Sequence, residues 1–243
     1  MRVIAEIGSN HKTERDCLDA IWHAKDCGAD VVKFQYFTNY DLYGVSGERN
    51  LTPDIISLSE VAEDQDIEFM CTAFSTHNYE LFDSCVKTHK IASAEITDMN
   101  ILNTVNSFRK PVYLSTGGAN LTQIEIALHR LKDCPVTIMY CVTDYPARIV
   151  DFRHLEILKE HFGSRYNYGY SDHSTDVLNI PTLAKRHVSV VLEKHVNFTT
   201  HTNTPDHPHS LNKTEFKMMI DHLKGRVPPL HTKEKCPWQR VPK

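Results

Sequence analysis

DCLDAIWHAKDCGADVVKFQ, residues 16–35, carries two different periods in one short stretch. Residues 16–27 space their apolar groups as a helix does, and 31–35 form a short β-rich run. Alternate strand residues face opposite ways, so Lys33 and Gln35 share one side of that run. The same alternation of strand and helix continues along the chain. Further β-rich runs fall at 3–7, 69–74, 90–96, 112–116, 136–142, 168–172 and 190–196, with helical patterns at 55–65, 101–108, 123–131, 155–162, 177–186 and 214–223. Such alternation predicts a parallel sheet with crossover helices. Eight strands with about eight helices match one closed α/β barrel, of the (β/α)8 type, which takes about 250 residues as a single domain. The chain has 243. An open doubly wound sheet more often shows a GxGxxG turn after its first strand, whereas here that turn reads Gly8-Ser9-Asn10-His11. The barrel is assigned to 1–224 and an irregular, proline-rich tail to 225–243. Residues 38–53 form a long polar loop, suited to a lid or an insertion.

The formal charge of -4, from 27 Lys+Arg and 31 Asp+Glu spread along the chain, gives no basic stripe, and nucleic acid is not an expected partner. No apolar stretch reaches membrane-spanning length and the N-terminus does not read as a signal peptide, so a soluble cytoplasmic protein with no membrane partner is expected. The seven cysteines form no CxxC pair, and reduced thiols are the default. Fifteen histidines raise the question of metal chemistry, which position must decide.

In a closed parallel barrel, chemistry collects where the strands end. The polar residues there are Glu6, Ser9, Asn10 and His11; Lys33 and Gln35; Thr72, Ser75 and His77; Lys90, Ser93 and Glu95; Ser115 and Thr116; Thr143, Asp144 and Tyr145; Ser171, Asp172 and His173; and Glu193, Lys194 and His195. An inward lysine is costly to bury unless something anionic meets it. Lys33 and Lys90, with the hydroxyls of Thr72, Ser93 and Ser115, would suit a phosphate and a carboxylate; alternatively each lysine pairs with an acidic neighbour at the barrel end. His173 and His195 end consecutive strands, with Asp172, Glu193 and Asp206 nearby in sequence, and fit a divalent cation with open positions. In the stretch HTNTPDHPH, 201–209, two prolines make a polar loop. Its histidines are read as solvated, and only Asp206 is carried forward.

Several strings together resemble the catalytic domain of the sialic acid synthase family, which includes legionaminic and pseudaminic acid synthases. They are IAEIGSNH (4–11), GADVVKFQ (28–35), CTAFS (71–75), KIASAE (90–95), LSTGG (114–118), YSDHS (170–174), EKH (193–195) and PDH (205–207). The resemblance implies a TIM barrel that joins phosphoenolpyruvate to an open-chain N-acylated hexosamine, giving a nine-carbon 2-keto acid and phosphate. It places Lys33, Thr72, Lys90, Ser93, Ser115 and Ser171 on phosphoenolpyruvate and Glu6, Gln35, Tyr145 and Asp206 around the sugar. His173 and His195 become metal ligands and Glu95 the acid-base group, with Glu95, Glu6, Lys33 and Lys90 forming the catalytic set. Mn2+ is the first cofactor choice, Mg2+ and Co2+ the alternatives. The resemblance also implies a homodimer and an antifreeze-like domain; either a separate polypeptide supplies that domain, or the site is completed differently, or the acceptor is not the usual one. Two other readings are a phosphoenolpyruvate-aldose synthase with another acceptor and a non-catalytic sugar-binding barrel.

Overall fold

A computed structural model of the chain describes residues 1–37, 54–186 and 190–226. The long loop expected at 38–53 and the tail beyond 226 lie outside the described residues. Eight parallel strands form the wall: β1 (Arg2–Gly8), β2 (Val31–Tyr36), β3 (Glu68–Ala73), β4 (His89–Ile91), β5 (Val112–Ser115), β6 (Val136–Cys141), β7 (Asn167–Asp172) and β8 (Val190–Asn197). Each pairs with the next in chain order, and β8 pairs back onto β1 with Ile4 beside Glu193 and Glu6 beside His195. That last pairing closes the barrel. A two-residue strand, β9 (Leu211–Asn212), adds to the end of β8 at Val196 and Asn197.

The helices outside are α1 (Glu14–Cys27), α2 (Ile55–Asp64), α3 (Thr76–Phe82), α4 (Met99–Phe108), α5 (Leu121–Arg130), α6 (Arg153–Phe162), α7 (Asn179–Arg186) and α8 (Lys213–Leu223). Several start where the sequence supplies a short polar acceptor for the free N–H groups of the first turn. Thr13 with Asp16, Asn120 with Gln123 and Asn212 with Glu215 form reciprocal capping boxes, while Asp54 and Asp98 cap α2 and α4. None of the described helices is long and apolar enough to cross a membrane.

Two local expectations are corrected. The run at 90–96 is not one strand: β4 stops at Ile91, and Ser93–Glu95 turn as a 3-10 helix. The Glu95 carboxylate accepts the Ala92 N–H at 3.1 Å, so a side chain caps the backbone where a longer ladder would run. Ser93 and Glu95 therefore do not share a strand face. The helix α3 also has no counterpart in the expected elements; Ser75, read as a strand-end group, is its N-cap and accepts the Asn78 N–H.

Two apolar regions result from the alternation of each strand. Outward residues pack under the helices as the main core. Inward residues at the amino-terminal end, Ile4, Val31, Met70, Tyr113 and Met139 with Val191 against them, fill the lumen. Their packing leaves no room at Gly169, where a Cβ would lie 2.1 Å from Met139 Sδ and 2.7 Å from the Val191 carbonyl oxygen.

Candidate active site

One step further along each strand, the inward positions turn polar. Glu6 follows Ile4, Lys33 follows Val31, Thr72 follows Met70, Ser115 follows Tyr113, Cys141 follows Met139 and Glu193 follows Val191, each at a spacing of two. The barrel register sets them side by side, with Glu6 beside Lys33, Gln35 beside Thr72, Thr72 beside Lys90 and Ser171 beside Glu193. Together with Ala92, Ser93, Tyr145, His173 and His195, most of them line a cavity of about 60 Å3. That is room for a handful of waters. A larger cleft of about 600 Å3 lies by α5 and α6, lined mainly by apolar and neutral polar groups.

The floor of this cavity is a buried network of charge. Lys33 Nζ lies 3.0 Å from Glu6 Oε2 and 3.4 Å from Glu193 Oε2, and Lys90 Nζ lies 3.7 Å from Glu193 Oε1. Lys90 also donates to Ser115 Oγ at 2.8 Å, Ser171 Oγ donates to Glu193 Oε1 at 2.7 Å, and Gln35 Nε2 donates to Glu6 Oε1 at 2.9 Å. Each lysine has an acidic neighbour, and both border the cavity. Burial pushes the Glu6 carboxyl up to about 7, against the pull of Lys33. Burial also opposes ionisation of Glu193, but Lys33 and Lys90 more than offset it and hold Glu193 below the usual carboxylate range. Below about pH 7, where Glu6 keeps its proton, Lys33 and Lys90 share the one negative charge of Glu193.

Glu95 does not line the cavity; it stands behind Ser93. Its Oε2 is 3.2 Å from the Tyr79 hydroxyl, which itself lies 2.7 Å from the Lys90 carbonyl oxygen. A phenol has one proton, and here the carbonyl and the Glu95 carboxylate share it. Burial raises Glu95 to about 7 even though the Ala92 N–H and Tyr79 favour its charge. Ser93 Oγ accepts the Gly117 N–H at 3.0 Å and sits 3.2 Å from Cys141 Sγ, which fixes its place on the cavity wall.

Histidines crowd the mouth. His173 Nδ1 is 2.5 Å from the Val142 carbonyl oxygen, so that nitrogen holds the proton and Nε2 faces Ser171 Oγ at 3.3 Å. Burial lowers His173 to about 4 and takes His195 well below the ordinary histidine value. The His173 and His195 rings are 5.6 Å apart, and Tyr145 stacks on His173 at 4.3 Å. Neutral imidazoles beside an ionised aspartate, Asp206, are the donor set a divalent cation takes, and the buried His195 Nδ1 has no hydrogen-bond partner among the described residues. The residues fit a cation.

A model of the NeuB family matches residues 50–227 of the chain. The chain belongs to the NeuB family. The N,N'-diacetyllegionaminic acid synthase of Legionella pneumophila is 30% identical over 268 residues, an alignment covering 97% of this chain and 74% of that protein. The protein of the same name from Campylobacter jejuni is 31% identical, with 91% and 75% covered. Among solved structures, the N-acetylneuraminic acid synthetase of Leptospira borgpetersenii, in complex with citrate, superposes with a TM-score of 0.83 at 27% identity, covering 92% of this chain and 82% of that one.

Within this NeuB family barrel the residues read from sequence sort clearly. Lys33, Gln35, Thr72, Lys90, Ser93, Ser115, Tyr145, Ser171, His173 and His195 meet at the cavity, and Glu6 lies under it. Asp172 and Lys194 do not join them: they pair at 2.8 Å on the helix side of β7 and β8, both fully buried, with the Tyr170 hydroxyl donating to Asp172. Thr116 donates to the Met139 carbonyl, and His77, Thr143 and Asp144 are exposed. Glu193 was left out of the sequence-derived site, although its spacing of two from His195 on one strand was a usable signal. His209 is the clearer correction. Read as a solvated loop residue, it is 3% exposed and its ring lies 4.5 Å from that of His195.

Proposed function

We propose that this chain condenses phosphoenolpyruvate with an open-chain N-acylated hexosamine, forming a nine-carbon 2-keto sugar acid and phosphate. The observation that carries the reading is the buried pair Lys33 and Lys90, sharing Glu193 at the base of a well whose mouth bears His173 and His195. Lys33 and Lys90, with the hydroxyls of Thr72, Ser93, Ser115 and Ser171, hold the carboxylate and phosphate of phosphoenolpyruvate by charge-assisted hydrogen bonds. Gln35, Glu6, Tyr145 and Asp206 orient the sugar above it.

In the reaction, C3 of phosphoenolpyruvate bonds to the aldehyde carbon, water adds at C2, and phosphate departs with its bridging oxygen by C–O cleavage. The positive charge fixed at Lys33 and Lys90 steadies the phosphate as it leaves. Glu95, raised to about 7 by burial, is assigned the proton of the added water, which its carboxylate form accepts. His173 and His195 would hold a divalent cation, assigned as Mn2+, which when bound would polarise the aldehyde oxygen.

The test is phosphate release from phosphoenolpyruvate with Mn2+ and a panel of N-acyl mannosamines and aldose phosphates, with the product identified by mass. Release only with an N-acyl sugar, together with a nine-carbon product, supports the reading. Faster release with an aldose phosphate overturns the acceptor assignment, and binding of sugar without release under any condition overturns the enzymatic one.

A further inference from the structure

The cation assignment above leaves one buried side chain at the mouth without a task. His209 closes the short 3-10 turn His207–His209, and the turn is tied to the other end of the chain. Ser9 donates its N–H to Asp206 Oδ2 at 2.7 Å, and the Asp206 N–H returns to Ser9 Oγ at 3.2 Å. Asn10 Nδ2 donates to Ser210 Oγ at 2.8 Å, and Ser210 Oγ donates to the Asp206 carbonyl at 2.6 Å. Gly8 makes room for this docking, since a Cβ there would lie 2.1 Å from Asp206 Oδ2. The carboxylate and the imidazole are thereby held in place from two directions.

What they are held toward is His195. Asp206 Oδ1 lies 3.4 Å from His209 Nε2 and Asp206 Oδ2 lies 4.0 Å from His195 Nδ1. One ligand atom from each of the three residues falls within 4.8 Å of the other two. His195 Nδ1 is buried without a hydrogen-bond partner among the described residues, and His209 Nε2 meets the same Asp206 carboxylate. Two imidazole nitrogens converging on one carboxylate are the geometry of ligands around a shared cation.

We propose that His209 and Asp206 are ligands of the cation together with His195, a set of two imidazoles and one carboxylate. This rests on the reading above only for the location of the cation. Two nitrogens beside one carboxylate shift the site away from Mg2+, which prefers oxygen and water, and toward the transition series.

Binding can be measured without turnover. Metal-free protein would be titrated with Co2+, followed by its visible absorption, and with Mg2+ and Mn2+ by calorimetry, in the wild type and in His209→Ala, His209→Asn and His207→Ala. Pulsed electron paramagnetic resonance of the Mn2+ form counts the coordinated nitrogens, and thermal melts report folding. We expect one Co2+ per chain, two coupled nitrogens, and at least a tenfold loss of affinity in both His209 variants, the range that loss of even a supporting partner produces. His207→Ala should bind as the wild type does. Unchanged affinity and spectrum in folded His209→Ala and His209→Asn would overturn the proposal while leaving a cation on His173 and His195. Failure of the wild type to bind any of the three ions would overturn both.

Discussion

Glu193 Oε2 lies 3.4 Å from Lys33 Nζ while Oε1 of the same carboxylate lies 3.7 Å from Lys90 Nζ, so one acid holds two buried ammonium groups in the lumen. Breaking such a pair leaves charge uncompensated in a dry place.

Glu193→Gln should therefore lose about 3–5 kcal/mol of stability, the cost of stranding a buried charge. It should also respond more strongly to an added anion, because two lysines are left facing the well. Thermal melts with and without inorganic phosphate measure both effects. A phosphate-induced rise in Tm no larger than that of the wild type would sink the claim that Lys33 and Lys90 form an anion site.

The pair Lys194 and Asp172 is equally buried but faces the helices, with Lys194 also donating to the Ser174 carbonyl. Lys194→Met should again cost about 3–5 kcal/mol, and adding Asp172→Asn should restore much of it. Neither change should alter the phosphate response of the remaining folded protein. A loss of that response would move these residues into the anion site, contrary to their place outside the lumen.

Glu95 predicts a pH dependence of stability. Its carboxyl rises from 4.5 to about 7 on folding, so the folded protein keeps a proton that the unfolded chain releases. Stability from this group is highest below pH 4.5 and falls as pH climbs toward 7, by up to about 3 kcal/mol. Glu95→Gln should remove that slope. Denaturant melts from pH 5 to 8 would show wild type and variant converging at the acid end and the variant ahead at the alkaline end. Parallel curves would refute it.

Gly169→Ala places a methyl against Met139 Sδ and, at 2.7 Å, against the backbone oxygen of Val191. The sulfur can turn aside but the strand cannot, so a loss of about 1–3 kcal/mol is expected. Adding Met139→Ala should return only part of it. Full recovery in the double variant would assign the whole clash to the methionine.

Much of this was legible in the chain because strand alternation is a local property. Once 31–35 is a strand and the barrel closes, Lys33 must share a face with Gln35, and the same reasoning carries Ser171, His173 and Lys90 inward. Elsewhere the decisive contact is distant. His209 directly follows the second of two prolines in a polar loop, and nothing near it in sequence announces that Ser9 and Asn10 will bind that loop. Residues 93–95 were misread for the opposite reason: the competing bond is very local, a glutamate closing on the N–H three residues back. Periodicity alone does not distinguish a β-run from a capped turn.

The apolar layer of Ile4, Val31, Met70, Tyr113, Met139 and Val191 has one last consequence. It stoppers the barrel beneath Lys33 and Lys90, and on its far side lies a separate dent around Arg2, Tyr113 and Asn167. The well is a cul-de-sac, and traffic through it must queue. Under the proposed reaction the anion is loaded first and the sugar closes over it, so the two substrates enter in a compulsory order that initial-rate patterns would reveal.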